Sequence, residues 1–592
     1  MGLNSSFMLS LIVSGLLPCI WGTHAAALES QRPLHASSLS RDDFKQDLSR
    51  ACELTEPIWP KYDGFPTAEH LFDNRWAFKK QLMRHGAIVQ VDSVCYDDLG
   101  DIGKDERWHS FDELHNRLRK LYPMMHNRRV VNVENVNTYG LVYTIQGRRD
   151  DLLKPILLTA HQDVVPVGNE SEWTYEPFSA EFDGEWMWGR GVADDKNRLT
   201  AIMSVFEELL QMGWRPQRTF IFASGFDEEC SGYRGAAKIG ERLLNRYGKD
   251  GFEAVIDEGG LGMIELGGDG NEPVVYALPG VTEKGFVNVW FDLQVQGGHS
   301  SAPPPHTGIG IMSEIVVALE DNPYTPQLED ESPIYESAKC LARYSPNAFP
   351  DITHLVEQGD LENLTLAISS LGPEGMALLQ TTQAVDVIYG GDKINSLPEA
   401  VTVGVNYRVA TQNSVVEVQH NVVKYVMDIV DRFGLHLDAY AGDDEYHEYA
   451  TSIGEDQFHN KGSGGFNYEG ALTIRAEKKF DGAHVSRTDT DAWRIFAGTV
   501  EATFGRPGTT VVPTGVVMTG NTDSKHYLNL SKNIYRWNPH PAFDIQNFHA
   551  VDERLKMSAH IGVAKFYYNL IRNFDQAGRR FRSKLADQDQ EL

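Results

Sequence analysis

The run Pro155-Ile-Leu-Leu-Thr-Ala160-His-Gln-Asp163 sets the architecture of everything around it. Its first six residues are almost continuously apolar and too few for a helix, the pattern of a strand covered on both faces in a parallel sheet. Its last three put an imidazole and a carboxylate at the strand's carboxyl end. Outward from this run, strands and helices alternate. Asn197 to Gly213 is an amphipathic helix stopped by its glycine. Thr219-Phe-Ile-Phe-Ala223 is a second buried strand, Gly235 to Tyr247 a helix, and Phe252 to Ile256 a third strand. Upstream, Phe111, Leu114, Leu118 and Leu121 mark one helical face ahead of Pro123. The order predicts an α/β fold, a mainly parallel sheet with helices on both faces.

Near Gly285 the pattern changes. Val287-Asn-Val-Trp-Phe-Asp-Leu-Gln-Val295 alternates with period two, as a half-exposed antiparallel strand does. A helix over Ile309–Leu319, a polar connection, strands at Gln383–Ile388 and Val401–Val409, a helix over Val415–Phe433 and a strand at His436–Tyr440 follow. This β-α-β-β-α-β order predicts an inserted α+β, ferredoxin-like domain over 286–445. It would serve as lid or dimerisation domain and split a catalytic domain into 28–285 and 446–592, with Ala542–Phe574 as long terminal helices.

Residues 7–22 form an apolar segment followed by Ala25-Ala26-Ala27, so residues 1–27 are expected to be a secretory signal peptide, with an uncleaved signal anchor as the alternative. Membrane contact is expected only if that segment is retained. Four cysteines lie beyond it, Cys52, Cys95, Cys230 and Cys340, and spacing alone does not pair them. Sequons at Asn169, Asn363 and Asn529 are compatible with a glycosylated luminal protein. The net charge of −29 opposes a phosphate backbone and argues against a nucleic-acid partner.

The chain has no nucleotide-binding P-loop, no H-E-x-x-H, no C-x-x-C and no G-x-S-x-G motif. What recurs instead is acid at strand ends: His161 and Asp163, Asp194-Asp195, Glu228-Glu229, and Asp257-Glu258. The steps are 31 residues from Asp163 to Asp194, 34 to Glu228, and 28 from Glu229 to Asp257. Each matches a β-α-β unit of about 30 residues, so the groups should gather where an open α/β sheet binds its ligands. Any one of them alone is an ordinary surface acid or turn, but together they would repel one another without a cation. Imidazole with carboxylate and no thiolate suits zinc, with manganese or cobalt as alternatives. His526, in Gly520-Asn-Thr-Asp-Ser-Lys-His526, is a further candidate ligand.

Five stretches together resemble the M20 metallopeptidase family, in its carboxypeptidase S (Gly-X carboxypeptidase) branch. They are Ala160-His-Gln-Asp-Val-Val-Pro166, Trp188-Gly-Arg-Gly-Val-Ala-Asp-Asp-Lys196, Phe226-Asp-Glu-Glu229, Gly297-Gly-His-Ser-Ser-Ala-Pro303 and Gly520-Asn-Thr-Asp-Ser-Lys-His526. The resemblance runs from about Trp59 to Phe574 and implies a zinc-exopeptidase type of fold. It implies that His161, Glu229, Asp257 and His526 are terminal ligands of two zinc ions bridged by Asp194. It makes Asp163 the residue that orients His161, and Glu228 the general base. Three carboxylates against two dications leave one positive charge, which favours a hydroxide between the metals. Asp195 reads as structural. In the inserted domain the resemblance casts His299 as the group that stabilises the oxyanion, often across a dimer interface in relatives, and Asn395 and Arg408 as a substrate clamp.

The expected activity is removal of the C-terminal residue from short peptides, in the vacuole lumen or secreted, by a possible homodimer. Two alternatives stand beside it. One is an N-acyl-amino-acid amidohydrolase on the same dizinc site, the other a catalytically silent binding protein on the same fold.

Overall fold

The computed structural model describes residues 52–588 apart from 151, 269–271, 455–467 and 469. The expected signal segment therefore lies outside the described residues. Among the described residues, no helix is long and apolar enough to cross a membrane. The chain divides into two compact units, residues 1–282, 329–364 and 484–592 in unit 1 and residues 283–328 and 365–483 in unit 2.

Unit 1 is built on an eight-stranded sheet. Its heart is four adjacent parallel strands, Phe220–Ser224, Ile156–Thr159, Ala254–Asp257 and Ile534–Arg536. Side chains along a strand point alternately to opposite faces, and here both faces are covered. Ile156, Leu158, Phe220, Phe222 and Ile256 pack with helices Lys196–Gln211 and Met557–Gln588 on one side. Leu157, Ile221 and Val255 pack with helix Ala236–Tyr247 on the other. That double burial is why the strands are written as continuous apolar runs. Helix Lys196–Gln211 ends where Gly213 takes a left-handed φ of 83°, letting the Trp214 N–H reach the Leu209 carbonyl at 2.9 Å.

Unit 2 carries a five-stranded sheet in the order Thr382–Gly390, Ala400–Val409, Gly285–Gln294, Ala471–Phe480, His436–Ala439. The expected split β-α-β pattern is present, with one strand more than expected. Ala471–Phe480 inserts between Gly285–Gln294 and His436–Ala439, so unit 2 runs to Ala483 and not to 445. Segment 329–364, expected as part of a polar connection inside this domain, consists of helices belonging to unit 1. There the Tyr276 hydroxyl donates to Ser345 Oγ at 2.8 Å, and Cys340 is joined to Cys52. A second disulfide joins Cys95 to Cys230. The expected terminal helix over 542–574 begins only at Met557. Residues 542–556 form a short 3-10 turn and two short strands.

Candidate metal centre

Because Ile156–Thr159, Phe220–Ser224 and Ala254–Asp257 are parallel neighbours, the loops after them meet at one sheet edge. The His161 ring, almost wholly buried, gives Nδ1 to the Asp163 carbonyl at 3.0 Å and lies 3.3 Å from the Asp163 carboxylate. Its Nε2 then faces Asp194 Oδ1 at 3.0 Å and Glu258 Oε1 at 3.3 Å. Asp163 also reaches the next loop, where its Oδ2 accepts the Glu229 N–H at 3.0 Å. One carboxylate thus fixes both the imidazole and the 3-10 turn Glu228–Cys230. Asp195 Oδ2 accepts the His161 N–H at 3.3 Å just ahead of helix Lys196–Gln211, and the peptide between Asp194 and Asp195 is cis.

The second face of Asp194 is met by a residue that the motif reading did not single out. His549 Nε2 lies 2.6 Å from Asp194 Oδ2 and 3.3 Å from Glu229 Oε1. His549 itself has a left-handed φ of 57°, as do Asn547 and Asp552 nearby, a conformation that costs about 1–3 kcal/mol at a non-glycine residue and tends to cluster at functional sites. His526, expected here, is not in this cluster. It sits beneath the Glu228–Cys230 turn, donating from Nε2 to the Ser231 carbonyl at 2.9 Å. A Cβ on Gly232 would lie 3.1 Å from that ring, so a glycine lets the histidine dock, and burial lowers its pKa to about 4. Of the acidic pair, Glu258 faces His161. Asp257 accepts the Thr159 hydroxyl at 2.5 Å and the Glu258 N–H at 2.9 Å through Oδ1. Its Oδ2 is buried with no hydrogen-bond partner among the described residues.

The electrostatics are those of a cation site. Burial, reinforced by the neighbouring carboxylates, raises Glu229 and Glu258 to about 7 and Glu228 well above the carboxylate range. Burial pushes Asp194 the same way, but hydrogen bonds from His161 and His549 hold it low. Burial alone would lower His549, yet hydrogen bonds to Asp194 and Glu229 lift it to about 10. Acids driven toward protonation, an orphaned buried oxygen and a donor set of two imidazoles with several carboxylates all fit divalent cations. His161, Asp194 and Glu229 bring ligand atoms close enough to share an ion, as do His161, Asp195 and Glu258.

In unit 2, two of the three expected substrate residues lie together. His299 pairs with Ser396 in a small antiparallel ladder, and the Ser300 N–H donates to the Asn395 carbonyl at 3.3 Å. Arg408 is elsewhere. It faces Phe286 in the long ladder whose far pair is Gln294 with Ala400, eight steps or about 27 Å away. The hairpin carrying His299 and Asn395 continues beyond that far pair. Asn395 and Arg408 therefore do not form one clamp within this unit. Burial lowers the Arg408 pKa, and its guanidinium stands 5.7 Å from the Phe286 ring centroid.

Comparison with known proteins matches residues 157–573 to the model of peptidase family M20/M25/M40. An uncharacterised carboxypeptidase of Schizosaccharomyces pombe is 38% identical over 83% of this chain and 79% of its own. Carboxypeptidase S of Saccharomyces cerevisiae is 34% identical over 96% of each. An N-fatty-acyl-amino acid synthase/hydrolase of Bos taurus is 32% identical over 85% of this chain and 89% of its own. Among solved structures, an M20 family metallo-carboxypeptidase from Sulfolobus solfataricus has the same fold. It has a TM-score of 0.53 at 15% identity, covering 84% of this chain and 99% of that one.

Proposed function

The chain belongs to peptidase family M20/M25/M40, and on that premise we propose that it is a metallocarboxypeptidase that removes the C-terminal residue of short peptides with a pair of zinc ions. The observation that carries the reading is the Asp194 carboxylate. One of its oxygens faces His161, which also faces Glu258, and the other faces His549, which also faces Glu229. This makes two half-sites sharing one bridge. His161 and Glu258, with the orphaned oxygen of Asp257 beside them, would hold one ion, and His549 and Glu229 the other. When bound, the pair supplies Lewis acidity toward the scissile carbonyl and the attacking water.

The chain's own groups do the rest. Asp163 fixes the His161 ring so that Nε2, not Nδ1, points inward. Glu228 takes the water's proton and delivers it to the leaving amine, the paired roles of general base and general acid. Within unit 2, Arg408 is a guanidinium of the kind that suits a carboxylate, and His299 and Asn395 are further candidates for substrate binding. Two disulfides and three sequons with exposed asparagines, Asn169, Asn363 and Asn529, support a place in the secretory pathway.

The bovine relative's name supports a second reading, hydrolysis of N-fatty-acyl amino acids at the same centre. An assay of N-blocked Gly-Leu against N-oleoyl-leucine separates the two. The proposal expects faster release of leucine from the peptide, loss of activity on chelation and recovery with zinc. Preference for the acyl amide, or activity indifferent to chelation, would overturn it.

A further inference from the structure

Two loops of the centre, one carrying Asp194 and one carrying His549, leave the same small ladder. Strand Arg554–Lys556 pairs antiparallel with Trp186–Trp188. His549 lies five residues before Arg554, and Asp194 six after Trp188. Between them stands Glu553, a carboxylate with no solvent exposure. Its Oε2 accepts Arg190 Nη1 at 2.7 Å and the Gly191 N–H at 3.2 Å. Its Oε1 accepts the Ala193 N–H at 2.9 Å and the Asp194 N–H at 3.4 Å. The Glu553 carbonyl accepts the Gly189 N–H at 2.9 Å. Arg190 is buried too, its guanidinium 5.2 Å from the Trp173 ring centroid. The loop leading to Asp194 is therefore wrapped around one carboxylate that belongs to the other loop.

We propose that Glu553 is a positioning residue that sets the Asp194 bridge against His549, so that both half-sites are built to one register. The proposal rests on the dinuclear reading above. A carboxylate is required because every partner of its two oxygens is a donor. An amide in its place would turn an NH2 toward Arg190 or toward a backbone N–H, with no acceptor to meet it. The Arg190 charge balances that of Glu553, so the device orders the loop without adding net negative charge to an acidic centre.

The test is zinc affinity of the full chain, measured by chelator competition, with kcat and KM at saturating zinc. Glu553→Gln is expected to weaken zinc about 10–100-fold, the usual cost of losing a partner that orients ligands. It should lower kcat while KM stays within about twofold. A purely structural role would lower thermal stability and leave zinc affinity within about twofold of wild type, and that result overturns the proposal. Should Glu553→Gln fail to fold, Arg190→Met decides, because it removes the one side-chain donor that holds Glu553 Oε2 and leaves the carboxylate in place. Weakened zinc binding in it supports the proposal, and wild-type affinity refutes it. Zinc binding and peptide turnover by the wild type judge the dinuclear reading separately.

Discussion

Glu228, His549 and His526 give three separate predictions. Glu228→Gln should retain zinc and lose about 10²–10⁴-fold in kcat, the range of general acid–base catalysis. Turnover near wild type would remove Glu228 as the base. His549→Ala should lower zinc content by about one equivalent per chain, while His526→Ala should leave it unchanged, both read by elemental analysis. His161, Asp163, Asp194 and the Glu228-Glu229 pair were legible in the sequence because each follows an apolar run at the spacing of a β-α-β unit. His549 was not. It stands in Asn547-Phe-His-Ala-Val-Asp-Glu553, far from any of the long parallel strands, in a stretch expected to be helical. Ile545, Phe548 and Val551 there imitate helical apolar spacing, whereas the chain forms a short strand at Ile545–Gln546 and then a loop with left-handed residues at Asn547, His549 and Asp552. The resemblance points to Asp257 of the acidic pair, and it is the neighbouring Glu258 whose Oε1 lies 3.3 Å from His161 Nε2.

Among elements, those with strong periodicity appear where the sequence places them. Helix Val415–Phe433 matches its expected bounds, closed at its start by a capping box between Ser414 and Glu417 and at its end by Gly434 in the left-handed region. Ser414→Ala should cost about 1 kcal/mol, seen as a lower urea midpoint with unchanged slope. No shift in the midpoint would mean that the helix end is held by packing alone. Strand Ala471–Phe480 is hard to read from the sequence because Lys478 breaks the alternation of Leu472, Ile474 and Ala476 with polar neighbours, and it does so at a left-handed φ of 52°. Its Leu472 and Ile474 nevertheless face the core of unit 2.

For the whole molecule, unit 1 is assembled from segments separated by the insertion, and its buried histidines make stability depend on pH. His85 and His560 stack with centroids 4.7 Å apart, both without exposure. Burial lowers His85 to about 4, and burial with the neighbouring His85 holds His560 well below the usual imidazole value. Folded values below the unfolded value of about 6.5 mean that the unfolded chain takes up these protons first as pH falls. Their stabilisation is thus intact above about pH 6.5 and lost as pH falls from there toward 4. Going from pH 7 to 5 should cost about 2 kcal/mol through His85 alone. The checking measurement is Tm against pH, which should be flatter for His85→Gln. An identical slope in wild type and variant would contradict the assignment.

The shared bridge at Asp194 is tested most directly by anomalous diffraction at the zinc edge on crystals of the zinc-loaded chain. The expected result is two peaks on either side of the Asp194 carboxylate, one against His161 and Glu258 and the other against Glu229 and His549. A single peak, or a peak bounded by His526 in place of His549, would contradict it.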